Sequence, residues 1–210
     1  MQDSAQGILL RTHPFSETSL IVRWLTRDQG RIATLARGAT RPKSPLRGRL
    51  DLYFIASITF TPSRQGTLHT LKEVTLQETF SKLRQSYTAL AQAAYATRLI
   101  ERVTETDTPL PGLFEILRQF LHTTSNAPPH TLHIAALELQ LLQWLGQTPD
   151  LSVAPISPGS RSICQHLLEP NPELHHRLQP SQDQSREIQR FISTELQNQL
   201  DIPTDWRPRA

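Results

Sequence analysis

Residues 19–36 read SLIVRWLTRDQGRIATLA and predict a β-hairpin. The first arm is rich in β-branched and aromatic residues, and the second arm alternates apolar and polar positions with a period of two. The residues Asp28-Gln29-Gly30 supply a turn between the two arms. This hairpin makes the N-terminal part of the chain a β structure.

Further strands flank the hairpin on both sides. Residues 7–12 are an apolar strand upstream, and residues 51–60 and 67–75 form a second strand pair downstream. No helical pattern separates the early strands. Five short strands in succession predict a small closed or nearly closed barrel.

Between the two strand pairs, residues 37–50 read RGATRPKSPLRGRL. Two glycines and two prolines interrupt this stretch, so it cannot form one continuous helix. It contains no acid and five cations, which are Arg37, Arg41, Lys43, Arg47 and Arg49. Guanidinium forks match phosphate oxygens, so the stretch predicts a polyanion-binding loop. The charge by itself is also consistent with a basic loop that is only solvated and binds no polyanion.

Positive charge is concentrated at the N-terminal end of the chain. Residues 1–50 carry a net charge of +6 and the remainder carries −3, although the whole chain sums to only +3. Lys43 is the only lysine in these fifty residues, which favours bidentate phosphate contact. Arg11, Arg23 and Arg31 therefore join the loop cations as candidate polyanion-binding residues.

Aromatic residues in the β part are candidates for stacking on bases. They are Phe15, Trp24, Tyr53, Phe54 and Phe60. Strand parity places Phe54 and Phe60 on the face of Ile58 and predicts that Trp24 is barrel core. Tyr53 falls on the opposite face and is the predicted stacking ring, the alternative being a surface tyrosine without a role.

After residue 80 the apolar spacing changes to that of amphipathic helices. Helices are predicted over residues 87–102, 113–123, 131–145 and 183–200. Residues 131–145 are apolar on most faces and should form the buried central helix, with Thr131 as its cap and Gly146 as its end. Residues 151–180 are rich in proline and predict no long element.

The sequence shows no motif of an enzyme that we can recognise. It lacks a phosphate-binding P-loop, a dinucleotide fingerprint, a hydrolase nucleophile elbow and a His-Glu-x-x-His pair, so we expect no catalysis. Cys164 is the only cysteine, which excludes an intramolecular disulfide and a cysteine-based zinc site. Without a secretion signal or a membrane-spanning apolar run, we expect a cytoplasmic protein with no membrane partner.

Four segments in this order resemble the RecO family of bacterial recombination mediators. They are GILLRTHPFSETSLIV (7–22), LTRDQGRI (25–32), LARGATRPKS (35–44) and ELQLLQWLG (138–146). The resemblance implies an α+β protein with an N-terminal OB-fold β-barrel over residues 1–80, followed by an all-helical C-terminal domain over residues 81–210.

The same resemblance implies binding of single- and double-stranded DNA and annealing of complementary strands. It also implies action with RecR, loading of a recombinase onto DNA coated by single-stranded DNA-binding protein, and a place at the bacterial nucleoid. Many members of the family carry a four-cysteine zinc module after the central helix. This chain keeps only Cys164 there, so we expect a degenerate module near residues 150–175, no metal and no other cofactor.

The helical domain is the predicted site for the acidic, hydrophobic-ended tail of single-stranded DNA-binding protein. Such a tail needs cations for its carboxylates and an apolar pocket for its end, and the candidates are Arg98, Arg102, Phe114 and Arg118. The alternative is that these residues form a solvated helix face or pack helices together.

Two other classes of function remain open on the sequence. One is an OB-fold RNA-binding module of translation or RNA processing, which would have the same electrostatics. The other is a helical scaffold without nucleic-acid function, whose basic loop only adds solubility.

Overall fold

The N-terminal strands close into a barrel. A computed structural model of the chain describes residues 2–128, 130–169, 175 and 178–208. The strands are β1 (Asp3–Pro14), β2 (Leu20–Thr26), β3 (Arg31–Ala36), β4 (Ile55–Thr61) and β5 (Leu68–Glu78). Their order around the closed barrel is β1-β2-β3-β5-β4, which is that of the OB-fold, and the predicted fold is confirmed.

Strand β1 is long enough to pair with two neighbouring strands. Its second half pairs with β2 and its first half pairs with β4, both in antiparallel register. A short parallel pairing of β3 with β5 completes the closure. A closed barrel leaves no unpaired strand edge, so its ladder hydrogen bonds are internally satisfied.

Trp24 fills the barrel interior, as its position in the predicted strand indicates. It has no exposed surface, and its indole Nε1 donates a 2.9 Å hydrogen bond to Thr34 Oγ1. Gly7 makes room for the ring, because a Cβ at that position would lie 3.2 Å from a Trp24 ring carbon. The barrel core is thus built around one large aromatic residue with a satisfied polar group.

Five helices lie in the described part of the chain after the barrel. They are α1 (Tyr87–Val103), α2 (Leu113–Asn126), α3 (Thr131–Trp144), α4 (Pro158–Leu168) and α5 (Gln182–Leu200), with short 3₁₀ turns at Ser81–Gln85 and Thr204–Trp206. None of them is long and apolar enough to cross a membrane. The four predicted helices are confirmed with small shifts at their ends.

Helix α3 is the buried centre of the helical part, as predicted. It packs against α1, α4 and α5. The cap differs from the prediction, because the side chain of His130 accepts a hydrogen bond from the Leu132 N–H and Thr131 is already helical. The chain leaves the helix at Gly146, whose φ of +73° is costly for any residue with a Cβ.

The prediction that residues 151–180 contain no long element is wrong, since α4 lies there. Ser157 begins this helix by accepting a hydrogen bond from the Ser160 N–H, and Pro158 occupies its first turn. The Glu187 carboxylate of α5 accepts hydrogen bonds from Ser157 Oγ at 2.7 Å and from the Ser157 N–H at 2.8 Å. Residues 170–174 of the predicted degenerate zinc module lie outside the described residues.

The chain forms two compact units. The barrel unit consists of residues 1–81 and 104–118, and the helical unit of residues 82–103 and 119–210. The segment 104–118 lies outside the predicted domain of residues 1–80. It is tied to strand β3, where the Asp107 N–H donates to the Arg31 carbonyl at 2.8 Å.

Helix α5 begins with a capping box that gives a testable stability contribution. The Ser181 hydroxyl accepts from the Gln184 N–H, and the Gln184 side chain accepts in return from the Ser181 N–H. We expect Ser181→Ala to lower the free energy of unfolding by about 1 kcal/mol. Urea denaturation measures this, and Ser185→Ala on the same helix is the control. Equal stability of Ser181→Ala and the parent would contradict it.

Candidate nucleic-acid interface

The basic loop, defined as residues 37–50, is a chain of tight turns. The N–H groups of Arg41, Ser44 and Arg47 donate in succession to the carbonyls of the residues three positions earlier. Gly38 and Gly48 have φ values of +63° and +74°, which these turns require. The loop therefore has a defined backbone without being a helix.

Apolar side chains anchor the basic loop to the end of the barrel. Ala39 and Leu46 are buried in the barrel core, and Leu50 packs against it. On the far side, Arg49 Nη1 donates a 2.8 Å hydrogen bond to the Val74 carbonyl of β5. This anchoring orders the loop before any ligand binds, which lowers the entropy cost of binding.

The five cations of the basic loop, Arg37, Arg41, Lys43, Arg47 and Arg49, are all exposed. No described carboxylate forms an ion pair with any of them. The Arg41 side chain lies over Gly38, where an added Cβ would come within 3.3 Å of its Cδ. Clustered cations without acidic partners repel one another, and a polyanion relieves that repulsion.

In addition to the loop cations, two arginines lie on the outer face of the barrel. Arg11 of β1 and Arg23 of β2 are exposed cross-strand partners. Two cations opposite each other on one sheet face make the local surface positive, and an anion would be attracted to it. Arg37 continues this face from the end of β3.

Arg31 is engaged within the barrel unit. Its guanidinium donates to the Thr104 carbonyl, and its backbone bridges to Thr106. Arg31 therefore serves to hold the segment 104–118, and the structure does not group it with the exposed cations.

The predicted exposure of Tyr53 is wrong. Its side chain is only 5% exposed, and its backbone N–H donates to the Leu9 carbonyl at 2.8 Å. The strand begins at Ile55, so the parity that placed Tyr53 on an outer face does not extend to it. With a φ of +68°, Tyr53 lies in the turn before the strand and its ring is unavailable to a base.

Two of the predicted partner-binding residues are engaged within the barrel unit. Phe114 is 1% exposed, and the Arg27 guanidinium lies 4.8 Å above its ring. Arg118 donates to Glu115 at 2.8 Å and lies 3.5 Å from Glu78. The prediction of an apolar pocket at Phe114 is wrong, because the ring already packs against its own unit.

The other two predicted partner-binding residues hold the C-terminal segment of the helical unit. The Arg98 guanidinium lies 3.5 Å from the centre of the Trp206 ring, and Arg102 lies 3.5 Å from Asp201. Both arginines are exposed, but each already contacts the chain that follows α5. A charge reversal at either position therefore also disturbs an internal contact.

Cys164 is buried in helix α4. Burial, with a smaller effect of the nearby Glu187 charge, raises the pKa of its thiol to about 11. A thiol with a raised pKa is a poor nucleophile and a poor metal ligand at neutral pH. Among the described residues, no group of three His, Cys, Asp or Glu side chains is placed to hold a metal ion.

The closed five-stranded barrel with its anchored basic loop defines an OB-fold protein. Residues 1–80 match the family described as Recombination protein O N terminal, and residues 84–154 match Recombination protein O C terminal. The chain belongs to the RecO family.

Individual proteins of the same family are also similar to the chain. The chain is 35% identical over 143 residues to the DNA repair protein RecO of Rhodopirellula baltica, covering 68% of this chain and 53% of that protein. It is 31% identical over 182 residues to the DNA repair protein RecO of Chromobacterium violaceum, covering 85% of this chain and 73% of that protein. The match to the DNA repair protein RecO of Bacillus pumilus is 33% over 147 residues and spans 57% of its length. The chain thus spans little more than half the length of several relatives.

Proposed function

We propose that this chain is a non-catalytic DNA-binding mediator of recombinational repair, which binds single- and double-stranded DNA and anneals complementary strands. The observation that carries the proposal is the basic loop, whose five exposed cations have no described acidic partner and whose backbone is anchored in the barrel core. Membership of the RecO family supports the same function.

The mechanism follows from the charge of the two ligands. Bringing two DNA strands together costs Coulomb repulsion between their phosphates. Cations that bind phosphates release condensed counterions, which favours close approach without reading the base sequence. The basic loop and the Arg11–Arg23 pair form a continuous set of cations on one barrel, which can bind the phosphates of more than one backbone segment.

A strand-annealing assay tests the proposal. Complementary oligonucleotides are coated with single-stranded DNA-binding protein, and duplex formation is followed by fluorescence quenching with and without the whole chain. We expect the chain to accelerate annealing, and more strongly at low salt. Failure to anneal coated strands under any salt condition would overturn the proposal, and tighter binding of structured RNA than of single-stranded DNA would favour the RNA-binding alternative.

We propose RecR and the acidic tail of single-stranded DNA-binding protein as protein partners in the bacterial cytoplasm. Phe114 is no part of this proposal, and Arg98 and Arg102 remain candidates for the tail only where a tail displaces their contacts with the C-terminal segment. Fluorescence anisotropy of a labelled tail peptide, titrated with the whole chain, tests the interaction. A peptide with its acids replaced by amides is the control.

We also expect the purified protein to contain no stoichiometric zinc. A structural zinc site needs four ligands of Cys or His type, and the one cysteine of the chain is buried in α4. Elemental analysis after dialysis measures the zinc content. One zinc per chain would contradict the expectation and would assign ligands to the histidines.

A further inference from the structure

Phe15 is an exposed ring, whereas five of the other phenylalanines are buried and Phe54 is half-buried. All seven phenylalanines lie in the described part of the chain, and Phe15 is the most exposed of them, with 57% of its surface accessible to solvent. A single exposed apolar side chain is common on protein surfaces, so Phe15 becomes a candidate ligand contact only through its position beside the basic loop.

The loop between β1 and β2 fixes the position of Phe15. The Phe15 N–H donates to the Ser19 carbonyl at 2.9 Å and closes this loop into a tight structure. Ser19 Oγ accepts in turn from the Gly38 N–H at 3.2 Å, and the Thr40 N–H donates to the Thr18 carbonyl at 3.1 Å. The loop that carries Phe15 is therefore joined to the start of the basic loop.

An apolar pair of residues lies beside the cations on the outer face of the barrel. Ile21 of β2 and Leu35 of β3 are half-buried cross-strand partners on the outer face of the barrel. Arg23 lies two positions along β2 from Ile21, and Arg37 lies two positions beyond Leu35, so cations flank the apolar pair on both sides. Exposed aromatic and apolar groups beside phosphate-binding cations are the combination that binds single strands.

We propose that Phe15 stacks on an unpaired base of a strand whose phosphates contact the basic loop. The bases of a duplex are stacked on one another and offer no free face, whereas an unpaired base offers its π-face to any ring. Phe15 therefore gives this interface a preference for single-stranded over duplex DNA. This inference rests on the proposed DNA binding and adds the form of DNA that the barrel selects.

The test compares Phe15→Ala with Tyr87→Ala, which removes an aromatic ring that is 87% exposed at the start of α1. Binding of each variant is measured with a single-stranded oligonucleotide, with an abasic oligonucleotide of the same length, and with a duplex. Phe15→Ala should weaken binding of the base-bearing single strand about fivefold or more. It should leave binding of the abasic strand and of the duplex unchanged. The variant Phe15→Trp, which keeps an aromatic ring, should bind the single strand with the affinity of the parent protein.

The salt dependence separates this inference from the proposed function. Phe15→Ala should shift the plot of log affinity against log salt without changing its slope, because no phosphate contact is lost. Unchanged binding of the single strand, or equal weakening for abasic and base-bearing strands, would overturn the stacking role of Phe15 while leaving DNA binding by the loop intact. Absence of DNA binding by the parent protein would overturn both.

Discussion

Replacing Arg37, Arg41 and Lys43 with alanine is expected to weaken binding of single-stranded DNA about a hundredfold at about 0.1 M salt. Each phosphate contact contributes about 0.7 to the slope of log affinity against log salt for a single strand, so three lost contacts lower the slope by about 2. The three side chains are exposed and none packs in the barrel core. The thermal unfolding midpoint should therefore stay at the parent value.

The matched control removes the same charge from the helical unit, as Arg84→Ala, Arg186→Ala and Arg190→Ala together. All three are exposed, so this variant removes the same net charge from outside the barrel unit; it also removes the exposed 3.7 Å ion pair of Arg186 with Asp183. Equal loss of affinity in the two triple variants would mean that the basic loop has no special role. An unchanged salt slope in the loop variant would remove the loop from the interface altogether.

The barrel could be predicted from the sequence because its signals are local. The alternation in residues 19–36 and the glycine at position 30 specify a hairpin without reference to the rest of the chain. The same alternation predicts that Trp24 is buried in the barrel core, and its burial is confirmed. A closed or nearly closed barrel was predicted from the number of strands alone, whereas the parallel pairing of β3 with β5 that closes it was not predicted.

The candidate site was predicted less well than the fold, because strand parity needs a correct strand start. Residues 51–54 form a turn and not the beginning of β4, so the predicted outward position of Tyr53 is wrong. The exposed ring of the barrel unit is Phe15, which directly follows Pro14 at the end of β1 and begins the loop to β2. A bulky aromatic residue flanked by loop residues was the available signal for an exposed ring.

Helix α4 and the contacts of Arg98 depend on tertiary packing. The signal for α4 was Ser157 followed by Pro158, a capping residue and a first-turn proline, but the density of prolines in that segment concealed it. The spacing of Arg98 and Arg102 correctly indicates an exposed helix face. No local pattern shows that Trp206 and Asp201 return to this face from the end of the chain.

Replacing Arg207 with alanine is expected to lower the free energy of unfolding of the helical unit by about 3–5 kcal/mol at pH 8. Glu138 of α3 is fully buried, and Arg207 Nη2 lies 2.8 Å from its Oε2 with only 6% of the arginine side chain exposed. The Tyr95 hydroxyl donates to Glu138 Oε1 at 2.5 Å. Without Arg207, a buried carboxylate keeps one neutral hydrogen bond and no opposite charge.

The loss of unfolding free energy in Arg207→Ala should increase as the pH rises. Burial raises the pKa of Glu138, and the Arg207 charge opposes that rise. Without the arginine the pKa rises further, so the folded variant holds a proton that the unfolded chain releases near pH 4.3, the ordinary glutamate value. Stability of the variant then falls as pH increases from that value through the raised pKa of the folded state. Urea denaturation followed by far-ultraviolet circular dichroism should therefore show a smaller deficit at pH 5 than at pH 8.

Glu138→Gln supplies the control, because it removes the charge and keeps an acceptor for Tyr95. In the Glu138→Gln background, Arg207→Ala should lower the free energy of unfolding much less, because no buried carboxylate remains without an opposite charge. The larger decrease in stability at pH 8 should then disappear. An equal deficit at both pH values, with and without Glu138→Gln, would show that Arg207 contributes packing alone. The ion pair would then have no part in holding the C-terminal segment to α3.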